Sequence, residues 1–555
     1  MKRITEKLWQ PIDVAPLVFF RIGFGVLMLW EIWRYINYDR VSRYYIEPQF
    51  YFHYWGFDWV KPLPGDGMHW LFYALALLAV CIILGFAYRL VMVLFWLGIS
   101  YIFLLDETNH LNHMYLICLF SFLLIFVPAH RCLAIDAWLR PKQRSDYAPA
   151  WALWLLRGQM AIVYFYGGVA KINPDWLVAE PIGTWLADRT DFPLIGQWFH
   201  ERWMAYVFAY GGLGFDLLIV PLLLYRRTRW PALLLAIGFH LTNNALFNIG
   251  IFPFLAIAAT IIFLPPHYFR WSARTMATEP FKPRYALLAF LALYFLIQLV
   301  LPLRHFLYDG YVSWTEEGHL FSWHMKLRSK KGTMFMFAVN PMSGAYNEIE
   351  LEKYLLPEQI EEMQDNPPML LRFAHYLAAG ALRGNKIQVW SMTALNRRAP
   401  QLLIDPFVDL AAMPDDLWAD DWILPLRQPA PHLSAVPTLL LSRRLPELLV
   451  IMNITTTPFP LDRLYLTLDE LNWQAASLPP NGCIVLYNND AALTRFAPLC
   501  NVQQTIYHPE AFDDFSVYAG ESLLGTCTNL SCVISLPEIP MATIALSKNW
   551  LKHSQ

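Results

Sequence analysis

Charged residues are scarce in this 555-residue chain, because Asp, Glu, Lys and Arg together make up only 15% of it. Soluble globular proteins contain about 25% charged residues, so the deficit argues against both a disordered chain and an ordinary cytosolic enzyme. Neither sign of charge dominates, since 42 Lys and Arg stand against 44 Asp and Glu. A nucleic-acid partner would call for a basic stripe or patch, and none is expected here.

Cysteine motifs are also missing. The seven cysteines include no CxxC pair, and no HExxH run is present, so we expect no metal site and no thioredoxin-type motif. Four cysteines lie near the C-terminus, at Cys483, Cys500, Cys527 and Cys532. An even number suits disulfides in an oxidising compartment, whereas four buried free thiols are an equally good interpretation.

Long apolar runs are abundant instead, in a chain that is 56% hydrophobic and 16% aromatic. A helix needs about 20 largely apolar residues to cross a bilayer core. Nine segments are candidates: 14–34, 69–87, 90–106, 113–129, 151–171, 203–224, 230–247, 249–264 and 284–303. The seventh and eighth are short enough to form one re-entrant unit, so we expect 8 or 9 spans. The first run has no small-residue cleavage site and is predicted to be a retained anchor.

The connecting segments predict an orientation. With the N-terminus in the cytoplasm, the inside segments contain fifteen Lys and Arg and the outside loops contain five. Because cytoplasmic loops carry the excess of basic residues, this bias supports that orientation. We therefore expect an integral inner-membrane protein whose C-terminal part is extracytoplasmic.

The chain after residue 303 has the pattern of a folded soluble domain. Two helices are expected near 356–365 and 368–383, between short β-type runs punctuated by Pro, Gly and Asn. The predicted strands are Met334–Val339, Ile387–Met392, Leu448–Met452, Leu464–Leu468 and Cys483–Tyr487. The fold class is thus an α-helical polytopic membrane domain (1–303), then an extracytoplasmic α+β segment (304–435) and a β-sandwich or jelly-roll-like domain (436–555).

Ionisable side chains at bilayer depth are costly, and each is therefore a functional hypothesis. They are Arg21, His113, Arg157, Lys171, Asp216 and His240. Arg157 and Asp216 have a structural interpretation as an ion pair between neighbouring helices. Arg21 is expected to pair with Asp106 or Glu31, or to line the bundle.

Lys171 ends the apolar run MAIVYFYGGVAK, in which Gly167 and Gly168 permit close backbone approach. It is either a lysine that reaches the headgroups or a desolvated amine. Burial disfavours the charged ammonium, so a desolvated lysine is a candidate general base.

Two histidines present the same choice between a structural and a functional role. Asn112 precedes His113, and Asn243 follows His240 by three residues. A lone histidine is more often structural, but two His–Asn pairs and a lysine on the same membrane side are able to converge on one cavity.

Several short runs along the chain carry a resemblance to a known family. They are LGFAYR (84–89), FLLD (103–106), NHMYL (112–116), LRGQ (156–159), GVAK (168–171), FHLTN (239–243), LFNIG (246–250), Gly310–Tyr311, Ser322–Trp323, Asn340–Pro341 and Asp405–Pro406. These runs are similar to the vitamin K-dependent γ-glutamyl carboxylase family. The fragments keep the family's order from about residue 14 to 415. Such ordered matches are far more specific than a single motif.

The resemblance implies a mechanism. Lys171 takes the position of the base that deprotonates vitamin K hydroquinone, which then reacts with O2 to generate the strong base that removes a γ-hydrogen from peptidyl glutamate, and CO2 traps the carbanion. Asn112 and His113 match the Asn–His pair beside that lysine, and His240 matches a histidine of the cavity wall. The residues implied at the quinone are Phe252, Trp323, Met325, His319 and Asn243.

This chain also departs from the animal enzyme. His319 replaces a tyrosine, His324 an aspartate and Lys326 a methionine. These changes surround the implied quinone, and menaquinol fits a bacterial membrane better than phylloquinone. The C-terminal part is shorter, so recognition of a propeptide is not implied, and the oligomeric state stays open.

The sequence is compatible with three functions. The leading one is a carboxylase that couples quinol epoxidation to carboxylation of a Glu-containing peptide. The second is a quinol epoxidase or oxidase with no peptide substrate. The third is a non-catalytic membrane module that binds a lipid or partner; a transporter is disfavoured because no inverted repeat is evident.

Overall fold

The computed structural model describes residues 6–247, 249–269, 281–398, 401–417 and 421–426, and from residue 439 onward only strand segments. The chain folds as two compact units. The first consists of Met1–Ile172, Leu186–Leu307 and Gly318–Met325. The second consists of Asn173–Trp185, Tyr308–Glu317 and Lys326–Gln555.

The first unit is helical, and a helix lies at each of the nine segments predicted to span the membrane. The helices are α1 (Ala15–Asn37), α2 (Gly67–Leu84), α3 (Tyr88–Leu105), α4 (Asn112–Phe126), α5 (Ala150–Ala170), α6 (Arg202–Leu224), α7 (Arg229–Phe247), α8 (Phe252–Ala259) and α9 (Tyr285–Val300). Within the described residues, α1, α2, α3, α6 and the stretch beginning with α9 are long and apolar enough to cross a bilayer. The chain therefore has several candidate membrane helices, and the total of 8 or 9 spans stays a prediction.

The turn between α2 and α3 shows how local chemistry ends one apolar helix and starts the next. Gly85 has a φ of +63°, and a Cβ there would lie 2.5 Å from an Arg21 guanidinium nitrogen, so only glycine fits. The Asp136 carboxylate accepts hydrogen bonds from the backbone N–H groups of Ala87 and Tyr88, each at 2.8 Å. These bonds satisfy donors that the first turn of α3 leaves unpaired.

The second unit contains a four-stranded antiparallel sheet. Its strands are β3 (Lys330–Val339), β4 (Tyr346–Glu348), β5 (Lys386–Leu395) and β6 (Gln401–Leu402), in the order β4-β3-β5-β6. Two short strands of the first unit, β1 (Pro11–Asp13) and β2 (Tyr147–Pro149), pair separately. Helices α10 (Pro357–Met363) and α11 (Pro367–Ala379) lie between β4 and β5 in the chain, as the sequence predicts. The predicted strands at 334–339 and 387–392 are therefore confirmed, at greater length.

The C-terminal strands form further sheets. The strands are β7 (Leu439–Leu445), β8 (Leu448–Asn453), β9 (Phe459–Pro460), β10 (Tyr465–Leu466), β11 (Ser477–Leu478), β12 (Gly482–Tyr487), β13 (Asn501–Tyr507), β14 (Phe515–Ala519), β15 (Ser522–Cys527) and β16 (Cys532–Ile534). Five of them pair in the order β13-β12-β8-β7-β16, and three as β10-β14-β15. A sandwich or jelly roll stays a prediction, as do the three domain boundaries. The side chains of the four C-terminal cysteines lie outside the described part of the chain.

Candidate active site

Two glycines bring α5 and α6 together. A Cβ at Gly168 would lie 2.6 Å from the Leu217 side chain and 3.2 Å from its backbone nitrogen. A Cβ at Gly167 would lie 2.9 Å from the Met325 methyl and 3.5 Å from an Asp216 oxygen. The close backbone approach expected at Gly167–Gly168 is therefore present, and it delivers an acidic side chain to the end of α5.

Lys171 forms a buried ion pair at this point. Its ammonium nitrogen lies 2.7 Å from Asp216 Oδ2 and donates to the Gly167 carbonyl at 3.0 Å. Both charged side chains are only 9% exposed. Burial disfavours each isolated charge, whereas the partner at hydrogen-bond distance favours both, so the two side chains stabilise each other in the helical unit.

The expected ion pair between Arg157 and Asp216 is wrong. Arg157 instead donates from Nε to the Ile262 carbonyl at 2.9 Å. Its guanidinium also lies over the rings of Trp154 and Phe263. Arg157 precedes Lys171 by 14 residues, about 21 Å along a helix. Because Leu217 packs against Gly168, the preceding residue Asp216 lies next to Lys171 and far from Arg157.

Of the alternatives predicted for Arg21, the pairing with Asp106 or Glu31 is wrong. Arg21 is fully buried and donates to three backbone carbonyls, those of Ala129 (3.0 Å), Ile83 (3.2 Å) and Leu133 (2.6 Å). Glu31 pairs with Arg34, and Asp106 accepts from backbone N–H groups. Backbone carbonyl oxygens at a helix end and in the following turns thus accept the hydrogen bonds of the Arg21 guanidinium, and no carboxylate partner is required.

A second group of predicted residues surrounds Phe252. Its ring centre lies 6.3 Å from that of His113 and 6.1 Å from that of His240. His240 Nε2 is hydrogen-bonded to the Tyr164 hydroxyl at 2.8 Å, and its ring lies edge-on to Phe215, the neighbour of Asp216. The structure therefore brings both predicted histidines and the predicted quinone residue Phe252 together.

The segment 318–325 joins the same region. Asn112 donates through its amide to the His324 backbone carbonyl at 3.3 Å. The Trp323 ring, on a residue that is 1% exposed, lies 5.0 Å from the Tyr115 ring on α4. Because Met325 borders Gly167, one short segment adjoins both the start of α4 and the end of α5.

The remaining predicted cofactor residues are placed less tightly. His319 lies 5.4 Å from His324, ring centre to ring centre. Asn243 is half-buried on α7, one turn beyond His240. Their contact with a quinone stays a prediction. Among the described residues, no group of three or more His, Cys, Asp or Glu is arranged to hold a metal ion.

Some side chains at the site are absent from the residues predicted from sequence. Tyr164 holds His240 and lies seven residues before Lys171, a spacing that places both on one helix face. The Glu31–Arg34 pair on α1, at 2.7 Å, approaches Gly250, where a Cβ would lie 3.5 Å from Arg34 Nη1. Helical periodicity is able to reveal Tyr164, but no local signal connects Arg34 to the α7–α8 turn.

These features define a polytopic membrane protein with a buried Lys–Asp pair in its helical unit and a sheet-containing second unit. Two family models match the chain. Residues 9–268 match the HTTM domain, and residues 283–429 match the vitamin K-dependent γ-carboxylase lumenal domain. Together they cover nearly three quarters of the sequence, and this chain belongs to the vitamin K-dependent γ-glutamyl carboxylase family. No solved structure matches it.

Proposed function

We propose that this chain is an integral membrane enzyme that uses vitamin K hydroquinone or menaquinol, with O2 and CO2, to γ-carboxylate glutamate in a peptide or protein. The observation that carries the proposal is the Lys171 amine, held beside Asp216 between two apolar helices. Membership of the carboxylase family supports it.

The reaction requires a base stronger than any side chain, and the reduced quinone supplies it by reaction with O2. Lys171, in its neutral form, removes the first proton from the quinol. The Asp216 carboxylate, 2.7 Å away, then stabilises the ammonium that forms. Because the protonated pair has no net charge, its burial among apolar side chains is tolerated.

The neighbouring residues fit a planar apolar ring with polar edges. Phe252 and Trp323 supply aromatic surface. Two buried nitrogens, His240 Nδ1 and Trp323 Nε1, have no hydrogen-bond partner among the described residues. Unsatisfied buried polar atoms are rare, and quinol oxygens are suitable partners for them. Asn112 and His113, at the start of α4, are assigned to the developing anion.

The other parts of the proposal follow from the sequence and the family. The membrane quinol enters from the lipid, the second unit receives the glutamyl peptide, and the C-terminal part faces away from the cytoplasm. The protein is proposed to reside in a bacterial inner membrane with its N-terminus inside. No nucleic acid takes part.

Membranes that contain the protein provide the test. They are incubated with reduced menaquinone or vitamin K, O2, labelled bicarbonate and a Glu-containing peptide. The proposal predicts label in the peptide and quinone epoxide by mass spectrometry. Epoxide without label in the peptide would instead favour a quinol epoxidase that has no peptide substrate. If folded protein forms neither product, both the carboxylase and the epoxidase are rejected.

Substitution of the lysine sharpens the test. Lys171→Ala should abolish both products, because among the described residues Lys171 is the amine that forms an ion pair with Asp216. Lys61→Ala, at an exposed loop lysine, is the matched control and should retain activity. Full activity of Lys171→Ala would remove this residue from the mechanism.

A further inference from the structure

Three histidines form a cluster to which the proposed function assigns no proton transfer. The ring centre of His324 lies 4.8 Å from that of His305 and 5.4 Å from that of His319, with edge-to-face orientations in both pairs. His324 is therefore the middle ring. His305 follows α9 in the chain, whereas the other two belong to segment 318–325.

The middle histidine is tied to the candidate active site. Its backbone carbonyl accepts a hydrogen bond from Asn112. Its neighbour Met325 lies against Gly167, whose carbonyl accepts from Lys171. His324 is thus adjacent in the chain to Met325, which packs against the turn of α5 whose Gly167 carbonyl binds the Lys171 amine.

The cluster leads from the interior towards solvent. His324 is 6% exposed, while His305 and His319 are half-buried. The Nδ1 atom of His305 lies 2.8 Å from the Pro302 carbonyl, which only accepts, so Nδ1 carries a proton and Nε2 is left to accept another. An imidazole can take a proton at one nitrogen and release one from the other, so ring centres this close suit transfer directly or through one water.

The backbone around the cluster is strained. Phe321 and Trp323 have φ values of +61° and +59°, in the left-handed region that bulky residues avoid. Gly318 has a φ of +69°, and a Cβ there would lie 2.6 Å from the His305 Cα. Left-handed backbone at bulky residues such as Phe321 and Trp323 is strained, and strain of this kind concentrates at functional sites. Arg304, which adjoins His305 in the chain, is a charged residue next to the cluster, and its guanidinium lies over the Phe321 ring.

We propose that His324, with His305 and His319, is a proton relay between the Lys171–Asp216 pair and bulk water. The inference rests on the proposed function of Lys171. After each turnover one proton leaves the ammonium, crosses through water to the His324 ring, and passes through His305 or His319 to solvent. The amine is neutral again, no electrons move, and no further reactant is consumed.

Chemical rescue tests the relay. His324→Gln should lower kcat for epoxide formation roughly 10²-fold in dilute buffer, with little change in KM for the quinol. Added imidazole should restore much of the rate, because a small diffusible base replaces the lost ring. His200→Gln, at an exposed histidine beside Glu201, is the control and should need no rescue. An unchanged kcat, or a loss that imidazole does not restore, would overturn the relay.

A second measurement does not depend on activity. In deuterated water the C2 hydrogen of a histidine ring exchanges only when water reaches the ring, and mass spectrometry detects the exchange. The relay predicts exchange at His324 despite its burial. No exchange there would overturn the relay even if the wild type carboxylates, whereas exchange in a protein that forms no product would reject the proposed function on which the relay rests.

Discussion

Replacement of the carboxylate in the Lys171–Asp216 pair, by Asp216→Asn, should lower the rate of epoxide formation. At 2.7 Å and an effective dielectric constant of about 20, the Coulomb attraction between the two charges is about 6 kcal/mol. Desolvation offsets part of it, and removal of one partner of a buried pair costs about 3–5 kcal/mol. Without the carboxylate, the ammonium that Lys171 is proposed to form when it takes the quinol proton has lost its buried counter-ion.

The rate of epoxide formation should therefore fall. A loss of about 3–5 kcal/mol in stabilisation of the ammonium corresponds to a fall in rate of about 10²–10⁴-fold, at 1.36 kcal/mol per factor of ten. The assay is the initial rate in detergent-solubilised protein with saturating quinol. The KM for the quinol should change little, because Asp216 acts on the amine.

Two companion variants separate charge from shape. Asp216→Glu keeps the carboxylate and should recover part of the rate. Asp136→Asn removes a carboxylate that caps α3 and should reduce stability without a matching loss of rate. Wild-type kcat in folded Asp216→Asn would refute the reasoning, since Lys171 would then act without its partner.

Three further predictions concern stability. In the second unit, Asp175 binds Arg398 through two hydrogen bonds of 2.7 and 2.5 Å, so Asp175→Asn should cost about 3–5 kcal/mol, seen as a lower Tm; an unchanged Tm would contradict a formed pair. Tyr164→Phe removes the partner of His240 Nε2 and should cost about 1–3 kcal/mol in thermal unfolding, whereas no loss would argue against this bond. Burial raises the pKa of the Asp365 carboxyl, although Lys330 opposes the shift, so the stability it contributes at acidic pH is lost as the pH rises through that pKa. Asp365→Asn should therefore raise Tm more at neutral than at acidic pH, and a pH-independent difference would contradict this.

The sequence predicts the helices well because apolar length is a local property. Each of the nine apolar runs contains a helix, and α1 begins within a residue of its predicted start. The predicted strands at 334–339 and 387–392 likewise follow from short β-type runs between turn residues. Predicted and observed helix ends differ by a few residues because helix ends depend on capping groups that are distant in the chain. At the start of α3, for example, Asp136 accepts two hydrogen bonds from backbone N–H groups.

The polar contacts were less predictable, because they depend on helix register. Arg157 lies seven residues after the start of α5, and Asp216 lies eight residues before the end of α6. In two antiparallel helices these positions are at similar depth, which makes an ion pair between them a natural expectation. Because Gly168 has no side chain, α6 approaches α5 closely there and Leu217 packs against Gly168. In this register the Asp216 carboxylate lies beside the Lys171 amine. Arg21 shows the same limit, since three carbonyls from different segments satisfy it.

Segment 318–325 is the part of the candidate site that sequence describes least. Trp323 and Met325 are expected near the quinone only through the family likeness. Their position depends on left-handed backbone at Phe321 and Trp323, which no propensity favours for bulky residues. Tertiary contacts, such as that of Trp323 with Tyr115, stabilise this conformation.

The most direct test of the central claim is restoration of Lys171→Ala by small amines. A series of primary amines of increasing basicity is added to the variant, and quinone epoxide is measured by mass spectrometry. If the Lys171 amine is the base, the restored rate should rise with the basicity of the added amine. Epoxide formation that stays at background with every amine, or that is independent of their basicity, would contradict the account.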